Sequence, residues 1–96
     1  MSMILDLEEA CSISEMAFLP CRGIATPDHA DASYALRVED DVGRELLSIA
    51  HIARSQYGDP RHLAGLLEQA RLELSKDGIS LSPWSMPMQP GTTSAQ

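Results

Sequence analysis

Histidine and cysteine are the most versatile side chains in site chemistry, and this sequence has only three histidines and two cysteines. His29 lies between Asp28 and Asp31, and imidazole and carboxylate together can bind borderline or hard cations. A structural metal site needs three or four converging ligands, which this short segment does not supply by itself. We therefore interpret it as a solvated loop and expect no cofactor.

His51 follows Ile49 on a predicted strand, so it is expected to point to the same side as Leu47 and to be half-buried. Catalysis would need a nucleophile or an acid within hydrogen-bond reach, and no GxSxG or HExxH motif accompanies this histidine. The pattern favours a hydrogen-bonded histidine at the rim of a core. The alternative is a small ligand-binding or metal-dependent enzyme component that uses His51 and His29.

Cys11 and Cys21 lack the CxxC spacing of zinc and redox sites. Residues 1–9 have no basic region followed by an apolar stretch of the signal-peptide type, and no long apolar run suits a membrane span. We expect a cytoplasmic protein that does not enter a membrane and keeps its thiols reduced. Whether the two cysteines pair stays open.

A helix is predicted first, because the apolar residues of the segment 5–18 fall on one side at the helical period. Asp6 and Glu9 have the spacing of a capping box at its start. Leu19 marks its end, because the residue before a proline avoids helical geometry.

Three strands follow and predict an antiparallel sheet. Residues 21–26 form the weakest of them, and Gly23 indicates a bulge or a close approach of two backbones. Residues 34–38 alternate between large apolar and smaller or polar side chains. Residues 40–43 then supply a hairpin turn, in which Gly43 can take a positive φ.

The third strand, residues 45–53, is apolar on both faces and is therefore predicted to be the central strand. Leu47 and Ile49 lie on one face. Leu46, Ala50 and Ile52 lie on the other, where a second subunit or the first helix could cover them.

A second long helix is predicted to begin with Asp59 as N-cap and Pro60 as its first residue, and to end at Gly78. One arc of this helix suits packing on a sheet. Its members are Leu63, Leu66, Leu67, Ala70 and Leu74. Leu72 lies about half a turn away, as an ordinary exposed leucine or as part of a dimer patch.

Residues 1–79 are predicted to form one domain and residues 80–96 a flexible tail, because the tail is rich in proline, serine and methionine and carries no charge. Trp84, Met86 and Met88 give the tail an apolar motif. Three roles stay open for it: packing back on the domain, docking to a partner, or neither.

The formal net charge of −7 disfavours nucleic-acid binding, which depends on basic residues that neutralise phosphates. The order helix, three strands, helix is also that of the double-stranded RNA-binding domain. That domain needs a basic start of its second helix, and residues 59–64 hold one arginine and no lysine. We therefore expect no nucleic-acid partner.

Several segments resemble a family of short bacterial proteins catalogued as domain of unknown function 1652. They read ISEMAFLPCR, ALRVEDDVGRELL and RHLAGLLEQARLEL, and together with residues 49–52 they lie within residues 10–76. The sequence departs from the family at Gly23, and the tail lies outside it. The resemblance implies a small cytoplasmic α+β protein and transfers no activity and no site residue.

The sequence thus predicts an α+β protein of α-β-β-β-α order that acts as a non-enzymatic interaction or regulatory module and self-associates as a homodimer. A small core favours association, because few residues are available to stabilise a single chain. The predicted interface residues are Leu46, Ala50, Ile52, Leu72 and Trp84.

Overall fold

The computed structural model describes residues 4–86 and shows a helix, a three-stranded antiparallel sheet and two further helices. The elements are α1 Leu7–Met16, β1 Arg22–Asp28, β2 Ser33–Glu39, β3 Glu45–Ile52, α2 Arg54–Tyr57 and α3 Pro60–Lys76. The α+β class and the order of the main elements are confirmed. The four-residue helix α2 is an addition that the sequence pattern does not predict.

The capping box predicted at the start of α1 is present. The Glu9 N–H donates to Asp6 Oδ1 at 2.7 Å, and the Asp6 N–H donates to Glu9 Oε1 at 3.1 Å. These reciprocal bonds satisfy donors that a helix start leaves without intrahelical partners. The first helix therefore begins where its residue types require.

α1 lies so close to β1 that only glycine fits at position 23. A Cβ atom on Gly23 would lie 2.8 Å from both the Cα and the carbonyl oxygen of Glu15. The Glu15 side chain continues this contact, because its Oε2 accepts a hydrogen bond from the Ala25 N–H at 2.9 Å. Close backbone approach was one of the two roles predicted for Gly23.

β2 is the central strand, which corrects the prediction that residues 45–53 form it. The strand order is β1-β2-β3, so β3 lies at an edge. Its apolar residues do not divide between two covered faces, since Leu46 and Leu47 both pack partly against the core. The reason is a register shift, in which Val38 pairs with Leu47 but Glu39 pairs with Glu45.

Ile52 is fully buried in the core, so its prediction as an interface residue is wrong. Leu36 pairs with Ile49, whereas Tyr34 pairs with Ile52, and β3 therefore has one more residue than β2 between the two pairs. Such a bulge reverses the facing of the residues beyond it. Ile52 thus turns to the core, while Ala50 stays exposed.

Both long helices cover the same face of the sheet. Their buried residues join the inward side chains of β2 in one cluster, in which α3 contributes the predicted stripe. Its largest members are Tyr34, Tyr57, Phe18, Leu5, Leu36, Ile52, Leu63, Leu67 and Leu74. On the opposite face Arg37, Ser48 and Ala50 are exposed, so this face of the sheet is open.

Two buried tyrosines complete the core with hydrogen bonds. The hydroxyl oxygens of Tyr34 and Ser14 lie 2.6 Å apart, and the Tyr57 hydroxyl donates to the Ala32 carbonyl oxygen at 2.6 Å. Desolvation on burial raises the pKa of Tyr34 to about 12. Among the described residues no buried side-chain nitrogen or oxygen lacks a hydrogen-bond partner.

Candidate interaction surface

The end of α3 turns the chain back towards the domain. Gly78 has a φ of +85°, the Ile79 N–H donates to the Leu74 carbonyl at 3.0 Å, and the Gly78 N–H donates to the Ser75 carbonyl at 3.0 Å. This is a Schellman motif, and it confirms Gly78 as the predicted helix end. We call residues 79–86, which follow it, the strap.

Arg71 ties the strap to both long helices. Its Nη1 donates to the Ala17 carbonyl at 2.6 Å, just after α1, and its Nη2 donates to the Ser82 carbonyl at 2.9 Å. The guanidinium carbon lies 6.0 Å from the centroid of the Trp84 ring, within the range of a cation–π contact. The Ser82 N–H in turn donates to the Leu19 carbonyl at 2.8 Å.

The strap packs back on the domain. Four of its side chains contact the core, namely Ile79, Leu81, Trp84 and Met86. Of the three roles left open for Trp84, packing against the domain is therefore the observed one. Residues 80–86 belong structurally with the domain that was predicted to end at residue 79, and the rest of the predicted tail, residues 87–96, lies outside the described residues.

Two grooves flank Trp84, and its ring lines both. One has a volume of about 360 Å³ and lies between the strap and the last turn of α1; it is lined by Ser12, Ile13, Met16, Leu19, Ser82, Pro83, Trp84 and Ser85. The other has a volume of about 420 Å³ and lies between the strap and α3; it is lined by Glu68, Arg71, Leu72, Ser75, Ile79, Ser80, Leu81 and Trp84.

Large apolar side chains project from this region. Met16 is 58% exposed, Leu72 52% and Leu19 47%, and they are three of the five large hydrophobic residues that are exposed in the described part of the chain. We call Met16, Leu19, Leu72, Trp84 and the two grooves the Trp84 surface. Clustered apolar groups of this kind mark binding surfaces more often than scattered ones do.

The Trp84 surface is nearly free of charge although the protein carries −7. No charged residue lines the groove beside α1. Glu68 and Arg71, which have opposite charges, are the only charged residues that line the groove beside α3. An interface core is typically apolar and depleted of charge, and it favours aromatic side chains.

The structure separates the residues predicted as an interface. Leu72 and Trp84 lie on the Trp84 surface. Leu46 is half-buried against the core, Ala50 is exposed on the open face of the sheet, and Ile52 is buried. The five residues therefore do not form one surface.

Sequence reasoning missed Met16, Leu19 and Arg71. Met16 and Leu19 carry a weak signal, because each is a large apolar residue near the end of a helix that a proline terminates. Arg71 carries a clearer one. It lies beside the buried residues Ala70 and Leu74 of α3. An arginine at the border of a buried stripe can place its stem on apolar surface and its guanidinium in hydrogen bonds to the protein.

The histidines stand apart from this surface. His51 is exposed rather than half-buried, and its Nε2 lies 3.3 Å from Asp31 Oδ2. The Ser33 hydroxyl donates to Asp31 Oδ1 at 2.6 Å, and this bond, followed by the contact with His51, lowers the pKa of Asp31. His29 is exposed as well. Nowhere in residues 4–86 do three or more His, Cys, Asp or Glu side chains form a group that could hold a metal ion.

The two cysteines are free thiols and are half-buried. Burial, followed by the charges of Glu15 and Glu8, raises the pKa of Cys11. Burial, followed by the charges of Asp40 and Asp41, raises the pKa of Cys21. A raised pKa lowers the thiolate fraction, which opposes nucleophilic or metal-binding chemistry at either position.

No helix among residues 4–86 has the length and apolar character needed to cross a membrane.

Comparison with known proteins agrees with the family resemblance of the sequence. No curated protein and no solved structure matches the chain. The family described as protein of unknown function (DUF1652) matches residues 8–74, from α1 to the last turns of α3. This match covers more than half of the sequence, and the chain therefore belongs to the DUF1652 family.

Proposed function

We propose that this protein is a cytoplasmic, non-enzymatic interaction module that acts as a homodimer. The observation that supports the proposal is the Trp84 surface, where exposed Met16, Leu19 and Leu72 surround a tryptophan on a nearly uncharged area. Covering such a surface removes apolar area from water, which is the main favourable term in protein association.

The composition of the surface suits a binding role. Tryptophan is enriched among the residues that dominate binding energy, and methionine and aromatic residues are enriched at interfaces. Each of the two grooves has the volume of a site that accepts a bulky side chain or a small molecule. The described residues that line the two grooves include no histidine and no cysteine.

Light scattering on the purified chain over a concentration series tests the proposal. We expect a mass near 10.4 kDa at the lowest concentrations and twice that value at high micromolar concentration. The mass must rise with concentration, because a reversible homodimer obeys mass action. A mass that stays at 10.4 kDa throughout the series contradicts the homodimer.

A further inference from the structure

The outer edge of β1 is closed to another strand. The Ala25 N–H already donates to Glu15 of α1, so one outward backbone donor of this edge is occupied. Pro27 follows two residues later on the same edge and has no N–H to offer. A proline and a side chain that caps the backbone are means by which proteins prevent edge-to-edge pairing.

The outer edge of β3 is also poorly suited to strand pairing. Register shifts occur on both sides of the segment 47–49, one near Leu46 and one between Ile49 and Ile52. Bulges bend a strand and increase its local twist, and they blunt an edge in natural proteins. Only three residues of β3 are left between the two irregularities, which is short for a stable intermolecular ladder.

The open face of the sheet is polar and charged. The Arg37 Nε lies 2.8 Å from Glu39 Oε2 and 3.6 Å from Glu45 Oε1, and these side chains occupy one end of that face. Ile24, which pairs with Arg37 and is half-buried, is the large apolar residue of this face, and the small residues Ser48 and Ala50 add little apolar area to it. Packing two such faces together would desolvate these charges for little apolar gain.

The Trp84 surface has the features that the sheet lacks. Its lining carries one acidic and one basic residue, so two copies of a chain with net charge −7 can approach there with little local repulsion. It also offers both projections, Met16 and Leu72, and recesses, the grooves on either side of Trp84. A surface that contains both can be complementary to itself, as a two-fold interface requires.

From these observations we infer that a second copy of this chain covers the Trp84 surface in a two-fold symmetric dimer, with Met16 and Leu72 of each copy filling grooves beside Trp84 of the other. This inference rests on the proposed homodimer and adds where the two copies meet. Arg71 is the positioning residue of this interface. It already holds Ala17, Ser82 and Trp84 in the single chain. The entropy lost by ordering the strap when two copies associate is therefore small.

Sedimentation velocity on charge-bearing variants tests the location. Leu72→Glu and Met16→Lys change the charge in opposite directions at two exposed positions of the surface, so a shared effect does not come from net charge. Each substitution occurs twice in a two-fold dimer, and we expect each to raise the dimer dissociation constant at least ~10-fold, as for other interface hot spots.

Matched controls place the same kind of charge elsewhere. Ile4→Glu alters a large exposed hydrophobic residue outside the surface, and Ala50→Glu alters the open face of the sheet. Both are expected to keep the wild-type dissociation constant. Circular dichroism melting of each variant confirms that it is folded.

Trp84, the only tryptophan in the chain, should shift its fluorescence emission to shorter wavelength as the wild type dimerises.

The outcomes separate the inference from the proposal on which it rests. A wild-type chain that is monomeric at every concentration overturns both. A wild-type dimer that folded Leu72→Glu and Met16→Lys variants both retain overturns the location alone. A dimer that is lost on Ala50→Glu but kept in those two variants moves the interface to the sheet and overturns the location as well.

Discussion

Single polar side chains, rather than apolar contacts alone, hold the strap in place. The Arg71 guanidinium donates to two carbonyl oxygens from different segments and lies against the Trp84 ring. Hydrogen bonds from a charged donor contribute about 1.5–3 kcal/mol when shielded and less when water reaches them. A lysine has the same charge but not the planar fork that allows two divergent bonds.

Arg71→Ala is expected to lower the free energy of unfolding by about 1–3 kcal/mol, because both carbonyl contacts are lost, and Arg71→Lys is expected to lower it by less, because a lysine cannot keep both contacts at once. Urea denaturation followed by circular dichroism measures the change. The control is Arg61→Ala, which removes an exposed arginine that is 3.8 Å from Asp59 and should change stability by less than about 0.5 kcal/mol. If Arg61→Ala and Arg71→Ala lowered the free energy of unfolding equally, Arg71 would not be the residue that holds the strap in place.

The buried tyrosines predict a loss of stability at alkaline pH. Burial raises the pKa of Tyr34 from 10.0 to about 12 and also raises the pKa of Tyr57. Above pH 10 the unfolded chain therefore binds fewer protons than the folded chain, and stability falls as pH rises towards 12. This contribution is fully present below pH 10.

Chemical denaturation at a series of pH values from about 8 to about 12, a range that spans the ordinary tyrosine pKa of about 10, measures the free energy of unfolding as a function of pH. In Tyr34→Phe the fall should be smaller, because the more strongly shifted group is gone. The same variant leaves the buried Ser14 hydroxyl without its partner, which costs about 1–3 kcal/mol at neutral pH. An unchanged alkaline slope in Tyr34→Phe would show that this residue does not cause the loss.

Secondary-structure elements differ in how far local residue types determine them. The start of α1 and both ends of α3 depend on local chemistry, namely a capping box, an N-cap with Pro60, and Gly78, and these were predictable. The position of β3 depends on two bulges, which the alternation of Leu46, Leu47 and Ile49 does not reveal. The prediction for Ile52 failed for the same reason.

The candidate surface was predictable only in part. Leu72 was recognisable because it departs from the helical stripe, and Trp84 because tryptophan is unusual in a proline-rich segment. Their proximity was not predictable, because it depends on the strap returning across α3 and on the bonds of Arg71. Long-range contacts of this kind leave no periodic pattern in the sequence.

Two glycines in different surroundings are expected to respond to alanine in opposite ways: Gly23, at the contact between α1 and β1, and Gly65, on the exposed side of α3. Gly23→Ala would place a Cβ 2.8 Å from the backbone of Glu15 and should destabilise the protein by about 1–3 kcal/mol, because a helix must move to accept it. Gly65 lies inside α3, where a new Cβ would meet no atom within 4 Å apart from its chain neighbours and the helix backbone, so Gly65→Ala should stabilise the protein by about 0.5–1 kcal/mol. Thermal melts of both variants give the comparison. Equal shifts of the two melting temperatures would contradict the close packing.

For the whole molecule, the arrangement of charge and apolar area supports the proposed homodimer. Fourteen acidic residues against seven basic ones give a surface that repels its copies at most approaches. The Trp84 surface is an exception, since its lining has no net charge and Met16, Leu19 and Leu72 are exposed there. The sheet edges and the open sheet face lack this combination. These features support the proposed association through the two long helices and the strap.

The most direct test of this account is sedimentation velocity of the wild-type chain and of Leu72→Glu side by side at the same high micromolar concentration. We expect the wild type to sediment as a dimer of 10.4 kDa chains and the folded variant to sediment at a lower average mass, shifted towards the monomer. A wild-type chain that sediments as a monomer, or a folded Leu72→Glu variant that still sediments as a dimer, would contradict it.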